Sequence, residues 1–141
     1  MSRTIYALLI GIDKYPAPVP PLRGCVNDIK RVHDMLKARV TAQGDSFKPL
    51  LLTDGAATRQ AVIDNFRSHL GQAKPNDVAL FYYSGHGSQG QSAPEFWRIE
   101  PDHLDETLVC VDSRTPGKFD LADKEMAQLI ADAAAKEPHV T

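Results

Sequence analysis

Cysteine is scarce in this chain. Its 141 residues hold two, Cys25 and Cys110. That is too few for a disulfide framework, and neither stands in the Cys-x-x-Cys spacing of a zinc site. Charge of one sign is also missing. The formal net charge is -2, which gives no electrostatic attraction for nucleic acid or an anionic membrane. No apolar run approaches the roughly 20 residues that a membrane-crossing helix needs. Met1-Ser2-Arg3-Thr4 leads into a short apolar run, Ile5 to Ile10, with no small-residue cleavage site. It reads as the approach to a first strand and not as a secretion signal, so the expected location is the cytoplasm. There is no internal repeat and no low-complexity tract. What remains is ordinary for a globular chain, 43% hydrophobic and 24% charged. Residues 1–141 suffice for one domain with its own core.

Tyr6-Ala7-Leu8-Leu9-Ile10-Gly11-Ile12 is continuously apolar, as a strand buried on both faces should be. Pro16, Pro18, Pro20 and Pro21 then exclude regular structure and predict an exposed, stiff loop. Asn27 or Asp28 can cap a helix to about Val40, with Ile29, Val32, Met35 and Leu36 on one face. Phe47 to Thr53 reads as a second strand and Asp54-Gly55 as a turn. Thr58 can cap a second helix with Val62, Ile63, Phe66 and Leu70 inward, ended by Gly71. Asp77 to Ser84 is a third strand. Gln89 to Glu106 is polar and without periodicity, so it reads as a long loop. Thr107 to Val111 reads as a short strand, Asp112 to Gly117 as a turn, and Asp123 as the start of a third helix with Met126, Leu129 and Ile130 inward. Pro138 to Thr141 looks like the beginning of another strand. Strands alternating with helices predict an α/β fold with a mainly parallel sheet flanked by helices. A sheet of this kind should not stop where a strand begins, so the fold is expected to be incomplete at the C-terminus.

The third strand runs into Tyr83-Ser84-Gly85-His86-Gly87-Ser88. Glycines on both sides of His86 allow a tight turn and close approach of a ligand. Strand ends of this kind are where α/β folds bind ligands. On the local pattern alone, His86 is as well read as an ordinary loop histidine.

Two further segments precede it: Ile10-Gly11-Ile12-Asp13, closing the first strand, and Leu22-Arg23-Gly24-Cys25-Val26-Asn27-Asp28. Together the three resemble the caspase-like cysteine peptidases, in the metacaspase/orthocaspase branch of bacteria, plants, fungi and protozoa. The chain is read as a bacterial member. The resemblance runs from about Tyr6 to the last residue. It implies a caspase-like sheet of flavodoxin-like order and a Cys/His dyad. His86 would be the general acid/base, a role that suits an imidazole with an ordinary pKa of about 6.5. The backbone N–H of Gly87 would help form the oxyanion hole.

The nucleophile is not found. In caspases the histidine lies about 50 residues upstream of the catalytic cysteine, and no cysteine follows Cys110. The resemblance therefore implies a chain that ends just before its nucleophile, with the remaining C-terminal part of the peptidase as its partner. Cys110 sits in the apolar run Leu108-Val109-Cys110-Val111 and reads as an inert packing residue. Cys25 matches a second cysteine near the family's substrate pocket. Caspases that cut after aspartate carry an arginine at the place of Leu22, and Arg23 is one residue off. Metacaspases cut after arginine or lysine. The resemblance assigns Asp28 and Ser84 to the pocket for that basic residue, where a carboxylate suits a long cationic side chain. Asp28 also reads as a helix cap, and one carboxylate can serve as both. Many metacaspases need calcium. The matching stretches are Asp102 to Glu106 and Asp120 to Glu125, but Lys124 replaces one of a pair of aspartates, so no firm metal site and no other cofactor is expected.

Gly87-Ser88-Gln89-Gly90 is not the Gly-x-Ser-x-Gly of serine hydrolases. Gly85 to Gly90 has the glycine spacing of a dinucleotide loop, but a polar, proline-containing stretch follows instead of a helix. The alternative of a different class is a non-catalytic, pseudopeptidase module for regulation or protein interaction.

Overall fold

The computed structural model describes residues 2–91 and 102–141. Strand β1, Thr4–Gly11, is central. It pairs in parallel with β2, Ser46–Thr53, on one side and with β3, Val78–Ser84, on the other. A short strand, His139–Val140, adds to the outer side of β3, so the order β2-β1-β3 continues with the last strand of the chain. This is the flavodoxin-like order.

The apolar run of β1 fills both faces of the sheet. Tyr6, Leu8 and Ile10 meet Val62, Phe66 and Leu129, whereas Ala7 and Leu9 meet Ile29. Side chains alternate along a strand, so the two sets divide cleanly between layers. Helix α1, Cys25–Ala42, covers one face. Helices α2, Arg59–Ser68, and α3, Asp123–Ala134, cover the other. Leu8, Leu9 and Ile10 are fully buried, and burial of each contributes about 1.5–3 kcal/mol.

Local expectations hold unevenly. Thr58 caps α2, its hydroxyl accepting the Ala61 amide at 3.1 Å. The cap of α1 is neither Asn27 nor Asp28. The helix begins at Cys25, and the Asp13 carboxylate accepts the amides of Cys25 at 2.8 Å and Val26 at 3.2 Å. Met35 is exposed, because it lies six residues after buried Ile29 and so about 120° round the helix. Ile130 is exposed for the same kind of reason, one residue beyond buried Leu129. The expected loop from Gln89 to Glu106 is bounded by strands. Gly87–Gln91, β4, pairs antiparallel with Leu104–Leu108, β5, which in turn pairs with Leu121–Ala122, β6. The middle of that stretch, 92–101, lies outside the described residues. The strand expected at Thr107 to Val111 is displaced toward the N-terminus, because its partner is β4 and not the central sheet. The final strand, β7, is the His139–Val140 pair.

Candidate active site

The C-terminal ends of β1 and β3 lie side by side, with Gly11 opposite Ser84 and the Ile12 amide donating to the Ser84 carbonyl at 3.0 Å. The first two motif segments and the glycine–histidine turn meet there. Gly11 lets α1 close onto the sheet, since a Cβ would stand 2.9 Å from the Cys25 carbonyl. That approach brings the first turn of α1 over the end of β3. Ser84 Oγ then lies 3.3 Å from Asp28 Oδ2. The Cys25 thiol joins the same group. Burial holds it above its ordinary pKa, a hydrogen bond with Ser84 partly opposes this, and the carboxylates of Asp13 and Asp28 push it further up. Cys25 is therefore a thiol, and not a thiolate, at neutral pH.

His86 is held through both its ring and its backbone. Its Nε2 lies 2.8 Å from the Pro20 carbonyl. A carbonyl only accepts, so Nε2 carries the hydrogen and the Nδ1 lone pair is left for chemistry. The imidazole also packs on the Tyr15 ring, centroids 4.9 Å apart. The His86 amide donates to the Tyr15 hydroxyl at 3.0 Å, and the His86 carbonyl accepts from the Tyr83 hydroxyl at 2.7 Å. Both tyrosine hydroxyls reach the Val109 carbonyl, at 3.0 and 2.7 Å. Burial raises the pKa of each, so both stay protonated donors. The loop of four prolines is thus no free tether, for it supplies both Pro20 and buried Tyr15.

The antiparallel ladder explains Gly87. The Val109 amide donates to the His86 carbonyl at 3.0 Å, which makes those two residues a hydrogen-bonded pair. The next pair, Gly87 with Leu108, is then of the other kind. The Gly87 N–H points away from β5 and stays available beside the imidazole.

Cys110 is 1% exposed, and burial pushes its thiol up to about 12. It packs in the core and offers no nucleophile. Four of the carboxylates in the stretches considered for calcium, Asp105, Asp120, Asp123 and Glu125, pair with cations of the chain itself. Lys124 Nζ stands 2.6 Å from Asp105 and 3.3 Å from Asp123. Arg114 pairs with Asp120 at 2.8 Å, and Arg59 pairs with Glu125. The cations of the chain itself occupy these oxygens, and no group of three or more His, Cys, Asp or Glu gathers for a metal among the described residues.

Sequence reasoning brought His86, Gly87, Asp28, Ser84 and Cys25 to one place. It missed Tyr15, Tyr83 and Pro20. Tyr83 adjoins the glycine–histidine turn and could have been found there. Pro20 acts through its backbone, which leaves no residue-type signal.

A family model described as metacaspase, peptidase C14 domain, matches residues 6–138. Metacaspase-1 of Schizosaccharomyces pombe is 33% identical over 130 residues, covering 88% of this chain. Metacaspase-7 of Arabidopsis thaliana is 37% identical over 107 residues, covering 73%. The chain spans only 29% and 26% of the lengths of these two relatives. In structure it is similar to protein GSU0716 from Geobacter sulfurreducens, with a TM-score of 0.71 and 25% identity over 92% of this chain and 45% of that one.

Proposed function

This chain belongs to the metacaspase, peptidase C14, family, and from that premise we propose that it is the histidine-bearing part of a cysteine endopeptidase that cuts after arginine or lysine. The observation that carries the reading is the 3.3 Å contact between Ser84 and Asp28 beside the turn that bears His86. Asp28 is exposed and pairs with no cation among the described residues. A carboxylate so placed favours a basic side chain, and the Ser84 hydroxyl orients it.

In this reading neither Cys110, which is buried, nor Cys25, which does not border the cleft at His86, is the nucleophile, and the remaining C-terminal part of the peptidase supplies it. There, Nδ1 of His86 takes the thiol proton. The thiolate adds to the scissile carbonyl, and the resulting oxyanion receives the Gly87 N–H. Collapse breaks the C–N bond as Nδ1 returns its proton to the departing amine. Water then gives a proton to Nδ1 and adds to the thioester, and the thiolate leaves. The reaction takes a peptide or protein substrate in the cytoplasm, with no part for nucleic acid or a membrane.

The test is an assay of the 141-residue chain and of a chain lengthened by its natural following residues, on peptides ending in arginine, lysine or aspartate before the reporter. The short chain should be inactive. The lengthened chain should cleave the basic peptides and lose that activity in H86A. Activity of the short chain that survives thiol alkylation overturns the mechanism. A preference for aspartate overturns the pocket. A lengthened chain that binds but never cleaves supports the non-catalytic module instead.

A further inference from the structure

The cleft at His86 has a lining that the pocket of Asp28 and Ser84 does not use. It measures about 350 Å3 and is walled by Pro18, Val19, His86, Gly87, Ser88 and Arg114, among others. Asp28, Ser84 and Cys25 do not border it. Ser84 is absent from this lining, whereas Gly87 and Ser88, which follow the imidazole in the chain, belong to it. Arg114 brings the cleft its one permanent charge.

Arg114 is fixed from behind. Its Nη2 donates to Asp120 Oδ2 at 2.8 Å, and that carboxylate, 9% exposed, also accepts from the Thr107 hydroxyl at 2.8 Å. The turn that carries Arg114 is pinned as well. Ser113 is buried and accepts the Cys110 amide at 2.7 Å, and Asp112 accepts the Arg59 amide at 2.9 Å. The other guanidinium N–H groups have no partner among the described residues, and the side chain is 41% exposed. A guanidinium steadied by a buried carboxylate, with donors left over at an open cleft, is preorganised to receive a second carboxylate.

We propose that Arg114, with the Pro18–Val19 wall, forms a subsite on the leaving-group side of His86 that takes a carboxylate from the residues after the cut. The inference rests on the peptidase reading. In that reading a basic side chain enters at Asp28 and Ser84, and His86 returns its proton to the departing amine. The chain behind that amine leaves past the imidazole on the side of Gly87, Ser88 and Arg114. There the guanidinium meets the carboxylate, and Pro18 and Val19 cover the aliphatic stem that carries it. The complete substrate preference is then a basic residue before the cut and an acidic one shortly after it.

Calorimetry and NMR on the 141-residue chain test this with short amidated peptides in which arginine is followed by aspartate, asparagine or lysine. A fourth peptide ends in a free carboxylate directly after the following residue and separates that source of charge from a side chain. At low salt the aspartate peptide should bind about 3- to 10-fold more tightly than the asparagine peptide and shift the Arg114 Nε signal. R114Q should abolish the difference, and R114E should turn it in favour of the lysine peptide. A gain for the free terminus alone assigns the subsite to a chain end. Equal binding of the aspartate and asparagine peptides overturns the proposal, as does a preference that survives in folded R114Q. The underlying reading fails separately: replacing the peptide arginine with leucine then leaves affinity unchanged, whatever the aspartate-to-asparagine ratio.

Discussion

The Tyr15 hydroxyl stands where a rung of the β4–β5 ladder would lie, 3.0 Å from the His86 amide and 3.0 Å from the Val109 carbonyl. His86 is thereby lifted off the strand and turned toward the cleft while its backbone stays fully bonded. Tyr15→Phe leaves the His86 N–H without its acceptor. The variant should lose about 1–3 kcal/mol of stability in urea denaturation, and the His86 ring signals should shift. In a catalytically complete protein, kcat should fall with little change in KM. An unchanged midpoint and unchanged ring signals would show that the hydroxyl positions nothing.

Gly85 makes the same arrangement possible from the other side. A Cβ at this position would lie 2.6 Å from the hydroxyls of both Tyr15 and Tyr83. Gly85→Ala must push one or both aside, and overpacking of this kind costs about 1–3 kcal/mol. Adding Tyr83→Phe removes one of the colliding atoms, so the double variant should be less impaired than the sum of the two single ones. Strict additivity in thermal melts would place the strain elsewhere.

What the sequence discloses follows the range of each interaction. The buried central strand, the Thr58 cap and the glycine–histidine turn are written within a few neighbouring residues, and they were legible. The likeness of two motifs to a known family groups Asp28, Ser84 and His86 from the sequence alone. Asp13 was not legible as the cap of α1, because it acts across 12 positions from the end of another strand. Nor was Tyr15, whose hydroxyl reaches a residue 71 positions away. The β4–β5 pairing was missed because the inward positions of β5 are polar, Asp105 and Thr107, so no apolar alternation marks the strand. The excess apolar residues Met35 and Ile130 misled for the opposite reason, since type without angular position does not establish burial.

The two thiols should separate cleanly in a reactivity assay. Burial holds Cys25 above its ordinary pKa, and Asp13 and Asp28 add to the shift. The Cys110 thiol is pushed up to about 12 and is 1% exposed. Iodoacetamide at pH 7 should label Cys25 more slowly than a free cysteine peptide and leave Cys110 unlabelled until denaturant is added. Asp28→Asn removes one of the charges that disfavour the thiolate, so labelling of Cys25 should quicken in that variant. Rapid labelling of native Cys110 at neutral pH would contradict its place in the core and restore it as a candidate nucleophile.

Acid should loosen the sheet at both ends of its strands. Asp77 Oδ2 accepts the Lys74 amide at 3.0 Å and Oδ1 accepts the Thr4 amide at 2.9 Å. These bonds, that to Lys74 first, hold its carboxyl below the usual range. Asp54 is lowered in the same way, first by the Lys14 amide, with burial opposing and the Asp13 amide adding to the shift. A depressed folded-state pKa means that the unfolded chain binds more protons in the interval between the two values. The stabilisation is therefore fully present above the unfolded value of about 3.9 and is lost as pH falls through the folded one. Denaturation midpoints should be nearly level from about pH 7 to 5 with respect to these groups and fall below about pH 4. Asp77→Asn should be less stable at pH 7 and decline less steeply in acid. Because Asp77 ties the start of β1 to the approach to β3, amide exchange in Thr4 and Ile5 should quicken as pH falls, and more so than in Asp77→Asn. Equal acid slopes for the wild type and Asp77→Asn would assign the transition to other carboxylates.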